Sequence, residues 1–345
     1  MCHSLLLRLQ MQYKWYKIIP LHHMSGEVKM IMISEVGPRD GVQSLDFLVD
    51  LDIKKRWIAA EAAAGVNEIE VGSFVNFKRL PQMQDTEALV EFALTIPGLD
   101  VAVLVPNLRG AQAAVDAGAN KLSIPVSASE THSVRNVNRT HDQMVEEVRS
   151  IRALVDAQPE GARASIEVSI ATAFGCTIEG HVPEKTIVDL AERLMAAGAS
   201  EVGLSDTTGY ADPAAIRNRI RAVQGAVGVD SITGVHLHNT RGLGLANALV
   251  ALECGLTTLD ASLGGLGGCP FAPGASGNIV TEDLVFMLDA MGIETGIDLA
   301  ALIEVRKSLA ADMPGSSIHG FVADAGVPLG FSQLAKSDSA TGTYA

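Results

Sequence analysis

The histidine pair His236 and His238 is the feature of this sequence that points most directly to chemistry. The two residues stand two positions apart at the end of an apolar, β-branched segment, and residues i and i+2 of a β-strand project from the same face. Two imidazoles buried together without partners are costly, whereas a shared metal ion satisfies both. Ordinary polar packing is the alternative, and carboxylates expected at the same place favour the metal.

Charged residues also end or follow other apolar segments. The stretch 35–43 reads EVGPRDGVQ and holds Arg39 and Asp40, while Glu70 and Asp206 stand at the ends of two further segments. An Arg–Asp pair can stabilise a turn as a salt bridge, or it can supply a fixed positive charge and a carboxylate to an active site. Both interpretations stay open from these residues alone.

A glycine-rich stretch at 264–278 contains Cys269 between Gly268 and Pro270. It can form a simple flexible turn, or a mobile lid that carries a thiol, because glycine permits hinge dihedrals and close approach to a ligand. Asn278 stands just before a predicted helix. It can cap that helix or offer an amide oxygen to a metal.

The elements that must position these residues alternate regularly. Eight short apolar segments, each followed by a helical pattern, predict a parallel sheet covered by helices. The predicted strands are Met30–Val36, Glu68–Gly72, Val101–Pro106, Lys121–Val126, Ala164–Ile170, Glu201–Leu204, Gly234–His238 and Thr258–Ser262. Eight units in a chain of this size predict an α/β fold closed into a (β/α)8 TIM barrel, with the glycine-rich lid loop after strand eight.

Helix ends support the same alternation. Predicted helices include Ile53–Ala64, Leu108–Ala117, Thr186–Ala197, Leu243–Cys254 and Glu282–Met291. A glycine suited to a C-cap follows five helices, at Gly65, Gly118, Gly198, Gly255 and Gly292. Since active sites of such barrels lie at the C-terminal ends of the strands, the polar residues described above are expected at one mouth.

The amino-acid composition argues against several classes of function. The chain has 345 residues, of which 48% are hydrophobic, and a formal net charge of −14. This acidity argues against a nucleic-acid binder, which needs a basic face. No stretch approaches the roughly 18 apolar residues of a membrane span. The four cysteines lack metal-type spacing, which favours reduced thiols and a cytoplasmic location.

The chain is predicted to divide into three parts. Residues 1–26 contain no acidic residue and are predicted to be a non-core extension. An organelle transit peptide is the alternative for this segment. Residues 27–311 form the catalytic barrel. Residues 312–345 form a C-terminal tail, expected to be partly disordered.

Several stretches together resemble the 3-hydroxy-3-methylglutaryl-CoA lyase family, barrel metal-dependent lyases with a pyruvate carboxyltransferase-like domain. The matching stretches are EVGPRDGVQ at 35–43, EVGSFVNFKRLPQM at 70–83, LSDTTG at 204–209, HLHNTRGLGLANAL at 236–249 and GGLGGCPFAPGASGNIVTEDLVFML at 264–288. The resemblance covers roughly residues 30–300, and the last stretch is the most specific.

This resemblance implies a divalent cation, Mg2+ or Mn2+, and a carbon–carbon lyase that cleaves 3-hydroxy-3-methylglutaryl-CoA (HMG-CoA) to acetyl-CoA and acetoacetate, as in leucine degradation. The implied metal ligands are Asp40, His236, His238 and Asn278. The implied catalytic residues are Arg39, Asp40, His236 and Cys269, and the implied substrate-binding or supporting residues are Gln43, Glu70, Ser73, Asp206 and Glu282. Asp40 and His236 are both candidates for the base.

An acyl-CoA substrate also requires positive charge for its tail. The loop candidates are Lys78, Arg79, Arg135 and Arg139, for which solvated surface charge is the alternative interpretation. The resemblance further implies a homodimer.

Two departures from the family pattern bear on the substrate. Ser44-Leu45-Asp46 stands where the lyases continue with Asn-Glu and a basic residue, and residues 127–140 read SASETHSVRNVNRT, where an aromatic or apolar residue is expected near His132. The alternatives are therefore a lyase for citramalyl-CoA or for a C3-extended 3-hydroxyglutaryl-CoA, and a Claisen-condensing 2-alkylmalate synthase. A non-catalytic metal- or CoA-binding protein is the alternative from another class.

Overall fold

The structure, a computed structural model, describes residues 30–268, 277–331 and 333. The predicted N-terminal extension at 1–26 and the predicted catalytic thiol, Cys269, lie outside the described residues.

Eight parallel strands close into a barrel in chain order, which confirms the predicted TIM barrel. They are β1 (Met32–Glu35), β2 (Glu68–Ser73), β3 (Asp100–Leu104), β4 (Lys121–Ser127), β5 (Ser165–Ala171), β6 (Glu201–Ser205), β7 (Ile232–His236) and β8 (Thr258–Ala261). The closing pair is β1 with β8, in which Ser34 lies opposite Asp260.

Helices follow every strand and form the outer layer. They are α1 (Leu51–Ala63), α2 (Thr86–Ala93), α3 (Leu108–Ala117), α4 (Glu130–Val137), α5 (His141–Asp156), α6 (Glu184–Ala196), α7 (Pro213–Val227), α8 (Gly244–Glu253), α9 (Thr281–Ala290), α10 (Leu299–Asp312) and α11 (Phe321–Ala325). All five glycines predicted at helix C-termini have positive φ angles, which confirms the predicted ends. No helix in the described ranges is long and apolar enough to cross a membrane.

The apolar core lies between the barrel and the helices, whereas the barrel interior is largely polar. Strand β5 shows the division, because successive side chains of a strand point to opposite faces. Ile166, Val168 and Ile170 are fully buried in the hydrophobic core, and Glu167 and Ser169 between them line a central cavity. The interior is thus available for chemistry.

One predicted strand end is wrong in a way that matters for the site. Strand β7 ends at His236, two residues before the predicted end. His238 instead forms an isolated bridge with Asn278, flanked by hydrogen bonds from Asn239 N to Gly277 O (3.0 Å) and from Ile279 N to Leu237 O (3.1 Å). This bridge joins the segments that follow β7 and β8.

The described part of the C-terminal tail packs on the barrel. Asp283 in α9 accepts hydrogen bonds from the backbone N–H groups of Phe321 (2.9 Å) and Val322 (2.8 Å) at the start of α11. His319 N donates to Gly264 O at 2.7 Å. These contacts tie the tail to the loop that follows β8.

Candidate active site

Arg39 and Asp40 lie in a short π-helical turn, Gly37–Gly41, directly after β1. Such turns occur frequently at functional sites. The turn requires glycine at position 37, because an added Cβ would lie 2.5 Å from Glu35 Oε1 and 2.6 Å from the Trp57 ring. Glu35 holds the turn from behind by accepting a hydrogen bond from Gly37 N at 2.8 Å.

His236, His238 and Asp40 converge at the C-terminal mouth of the barrel. The Nε2 atoms of the two histidines lie 3.2 Å apart. One potential ligand atom from each of the three residues lies within 4.8 Å of the others. Two imidazole nitrogens and a carboxylate oxygen that face one point suit a divalent ion.

Asn278 completes this arrangement through the bridge to His238. Its Nδ2 donates hydrogen bonds to Asp40 Oδ2 (2.8 Å) and to Leu266 O (2.9 Å). Its Oδ1 is buried and has no hydrogen-bond partner in the described part of the chain. An unsatisfied buried acceptor costs about 1–3 kcal/mol, and a cation bound within reach of Oδ1 would satisfy it. The four residues therefore fit a metal ion.

Arg39 is both a salt-bridge partner and a residue that lines the cavity. Its Nε lies 2.5 Å from Glu70 Oε2 and its Nη1 lies 2.5 Å from Asp40 Oδ1. Gln43 Nε2 donates to the same Asp40 oxygen at 2.8 Å. These bonds fix the guanidinium beside the histidine pair.

Charges at the mouth set the protonation states of the proposed ligands. Burial acts to raise the pKa of Asp40, but Arg39, His236 and His238 outweigh it and lower this pKa to about 2. Burial and the neighbouring His236 lower the pKa of His238 to about 4. At neutral pH, Asp40 is therefore ionised and His238 is neutral, which are the forms that bind metal.

Asp260 is a site residue that the sequence analysis missed. Strands β7 and β8 pair His236 with Asp260 in register, and His236 Nδ1 lies 3.1 Å from Asp260 Oδ2. Burial acts to lower the pKa of His236, but the hydrogen bond and charge of Asp260, together with Asp40, leave it raised. A lone acid within the apolar strand TLDA was the available signal.

A cavity of about 650 Å³ opens at this mouth and extends into the barrel. The predicted site residues that line it are Arg39, Asp40, Gln43, Glu70, Ser73, His236 and His238. Further lining residues, which sequence reasoning did not select, include Ser123, Glu167, Ser169, Ser205 and Asp260. His132 lines it as well, with its Nδ1 2.7 Å from Ser127 Oγ.

Asp206 and Glu282 are buried but do not line this cavity. Asp206 accepts hydrogen bonds from Tyr210 N (2.8 Å) and Ala211 N (3.1 Å), which shape the loop after β6, and burial raises its pKa to about 6. Glu282 accepts from Gly264 N at 2.9 Å, and burial raises its pKa to about 8. Both act on the backbone of loops at the mouth.

The basic residues considered for the CoA tail lie beside the cavity. Lys78 and Arg79 are exposed between Val75 and Leu80, two residues that line it. Arg135 is also exposed, directly before the lining residues Asn136 and Val137. Arg139 is half-buried, with its Nε 3.9 Å from Glu147 Oε2. Lys78, Arg79 and Arg135 are therefore more exposed to solvent than Arg139.

Comparison with known proteins agrees with this geometry. The HMGL-like family matches residues 30–309, which is most of the chain. The chain belongs to the HMGL-like family. The predicted family is thereby confirmed.

Individual relatives show what this chain is similar to. Hydroxymethylglutaryl-CoA lyase of Bacillus subtilis is 38% identical over 279 residues, covering 81% of this chain and 92% of that protein. The mitochondrial enzyme of Mus musculus is 38% identical over 276 residues, covering 80% and 83%. An HMG-CoA lyase from Acinetobacter baumannii, solved with coenzyme A and 3-methylmalate, has a TM-score of 0.82 at 38% identity, covering 90% of this chain and 100% of that one.

The chain is accordingly an HMG-CoA lyase-like carbon–carbon lyase. Its relatives include proteins named as mitochondrial and one from Rattus norvegicus named as cytoplasmic. The location of this chain therefore stays a prediction.

Proposed function

We propose that this chain is a divalent-metal-dependent lyase that cleaves the C2–C3 bond of a 3-hydroxy-acyl-CoA, with HMG-CoA yielding acetyl-CoA and acetoacetate. The observation that carries the proposal is the convergence of Asp40, His236 and His238. Asn278, which is hydrogen-bonded to Asp40, adds a buried amide oxygen without a partner in the described part of the chain. Arg39 lines the same cavity. The named activity of the relatives at 38% identity supports the same reaction.

The four converging residues are proposed to hold Mg2+ or Mn2+. When bound there, such an ion lowers the pKa of the substrate C3 hydroxyl and fixes the geometry of the reacting groups. The carboxylate, the amide oxygen and the imidazole nitrogens form a mixed ligand set. The choice of Mg2+ or Mn2+ rests on the family.

Three groups of this chain are proposed to move charge and protons. His236 or Asp40 takes the C3 hydroxyl proton, the C3–O bond becomes the ketone of acetoacetate, and the C2–C3 electron pair leaves as the thioester enolate. Arg39 donates to the enolate oxygen, a contact typically worth about 3–4 kcal/mol in the transition state. Cys269 gives its thiol proton to C2, which completes acetyl-CoA.

The remaining predicted residues are proposed to bind or to support. Gln43 and Ser73 contact the substrate, Glu70 holds Arg39, and Asp206 and Glu282 shape loops at the mouth. Lys78, Arg79, Arg135 and Arg139 are proposed to bind the CoA tail. We further propose that residues 27–311 are the catalytic unit of a cytoplasmic homodimer in leucine degradation, which size-exclusion chromatography and fractionation can test.

The decisive experiment measures acetyl-CoA release from HMG-CoA by metal-stripped protein, with and without added Mg2+ or Mn2+. Fast, metal-dependent release is expected. Release of free CoA from acetyl-CoA and a 2-oxo acid would instead show a condensing synthase. Bound metal without turnover of any acyl-CoA would show a binding protein.

A further inference from the structure

Small side chains occupy neighbouring inward positions on one side of the barrel. Ala102 on β3, Ser123 on β4, Ser169 on β5 and Ser205 on β6 all line the cavity. TIM-barrel interiors are commonly filled by bulky branched side chains at such positions. We call these four residues the serine chamber. Their size leaves space inside the barrel that larger side chains would fill.

The serine chamber adjoins the proposed metal site. Ser205 on β6 pairs in register with His236 on β7, and Ser169 Oγ lies 2.5 Å from Ser205 Oγ. A run of neighbouring side chains thus leads from the histidine pair to the chamber. A substituent on a carbon atom held beside His236 can extend into this space.

The cavity has room beside the proposed metal site. Its volume is about 650 Å³, within the range of about 300–1,000 Å³ that is common for ligand pockets. The acyl group, the end of the CoA arm and the branch at C3 share this space. The small side chains of the serine chamber are therefore what leaves room for a longer branch.

The charged residues of the cavity favour some substituents at C3 of the substrate over others. Glu167 and Asp260 line it, and Glu167 lies 2.6 Å from Lys121. Among the described lining residues, Arg39 is the single arginine or lysine, and it is already paired with two carboxylates. A second anionic group would find no unpaired cation here. The serine hydroxyls instead suit a neutral group that accepts hydrogen bonds.

The wall beside the chamber comes from the segment that follows β4. His132, Asn136 and Val137 line the cavity and all lie within residues 127–140. Strand β4, which contributes Ser123, runs into this segment. One continuous part of the chain therefore supplies part of the chamber and the wall beside it.

We propose that the preferred substrate carries at C3 a branch longer than methyl that ends in a neutral hydrogen-bond acceptor, and that Ser123, Ser169 and Ser205 determine this specificity. The inference rests on the lyase function proposed above. The branch enters the serine chamber, while the C3 hydroxyl stays beside His236 and Asp40.

Four 3-hydroxyglutaryl-CoA compounds test this, with methyl, butyl, 2-methoxyethyl or 2-carboxyethyl at C3. Acetyl-CoA release gives kcat/KM for each with Mg2+ present. We expect the 2-methoxyethyl compound to exceed the methyl compound at least tenfold and the carboxyethyl compound to be the poorest. A methyl compound that equals or exceeds the methoxyethyl one overturns the inference while the lyase function stands. Cleavage of none of the four overturns both.

Substitutions in the serine chamber test whether its residues determine the preference for the C3 branch. Ser169→Leu is expected to lower the methoxyethyl-to-methyl ratio of kcat/KM at least tenfold, and this ratio does not depend on how much of the protein folds. Ser123→Val fills the chamber from the neighbouring strand and is expected to lower the ratio in the same direction. Ser308→Leu, on the exposed face of α10, is the matched control and should leave the ratio unchanged. An unchanged ratio in both chamber variants refutes the assignment.

Discussion

Replacing Asp260 tests whether the metal site depends on a residue that binds no metal itself. In the structure, Asp260 Oδ2 lies 3.1 Å from His236 Nδ1, and the two side chains are 21% and 12% exposed. A proton on Nδ1 that is donated to Asp260 leaves the Nε2 lone pair of His236 free for a cation. In Asp260→Ala, the His236 ring loses this hydrogen bond, and nothing holds the proton on Nδ1.

The expected loss follows from what such carboxylate partners contribute. Removing a residue that hydrogen-bonds a metal ligand typically weakens metal binding about 10–100-fold, or about 1.4–2.7 kcal/mol. Asp260→Asn keeps an oxygen that can accept from Nδ1, so its loss should be smaller. Burial is the main cause that raises the pKa values of Glu68, Glu70 and Glu167, and the charge of Asp260 acts in the same direction. Removing it relieves repulsion among these acids, so electrostatics do not predict unfolding.

The assay is titration of metal-stripped protein with Mn2+, with free Mn2+ followed by electron paramagnetic resonance. Asp116→Ala, an exposed aspartate on α3, is the control and should bind as the unchanged protein does. An Asp260→Ala variant that binds within about twofold of the unchanged protein would refute the reasoning. Absence of Mn2+ binding by the unchanged protein would instead refute the metal site.

Three further predictions address the chemistry and the buried acids. Cys269→Ser is expected to lose most turnover while its Mn2+ affinity stays unchanged; near-normal turnover contradicts the role of the thiol. Arg39→Met is expected to lower kcat by about 10²–10³ and to change KM far less, and steady-state kinetics showing only a KM effect would exclude the transition-state role. The pKa of Glu282 is raised from 4.5 to about 8 by burial, so the folded state binds more protons than the unfolded state between these values. The free energy of unfolding should therefore fall as pH rises from about 5 to 8. Urea titrations should show a smaller fall for Glu282→Gln, and an equal fall would count against this cause.

Much of the fold could be predicted because local sequence patterns determine it. The alternation of apolar segments with helical patterns specifies eight β/α units, and glycines mark helix ends because few other residues adopt positive φ there. Family motifs selected Arg39, Asp40 and the histidine pair as well. These residues end their strands or follow them within a few positions, so the rule that barrel sites lie at strand C-termini placed them at one mouth.

Tertiary structure decided the contacts between residues distant in sequence. Asp40 and Asn278 are 238 positions apart, and a hydrogen bond from Asn278 Nδ2 to Asp40 Oδ2 joins them. Asp260 became a partner of His236 only through the register of β7 and β8. The serine chamber likewise needs strand closure, because single serines in separate strands carry no pattern of their own. Local propensity acts over a few residues, whereas these contacts depend on how eight strands pair and close, and that is settled by packing across the whole barrel.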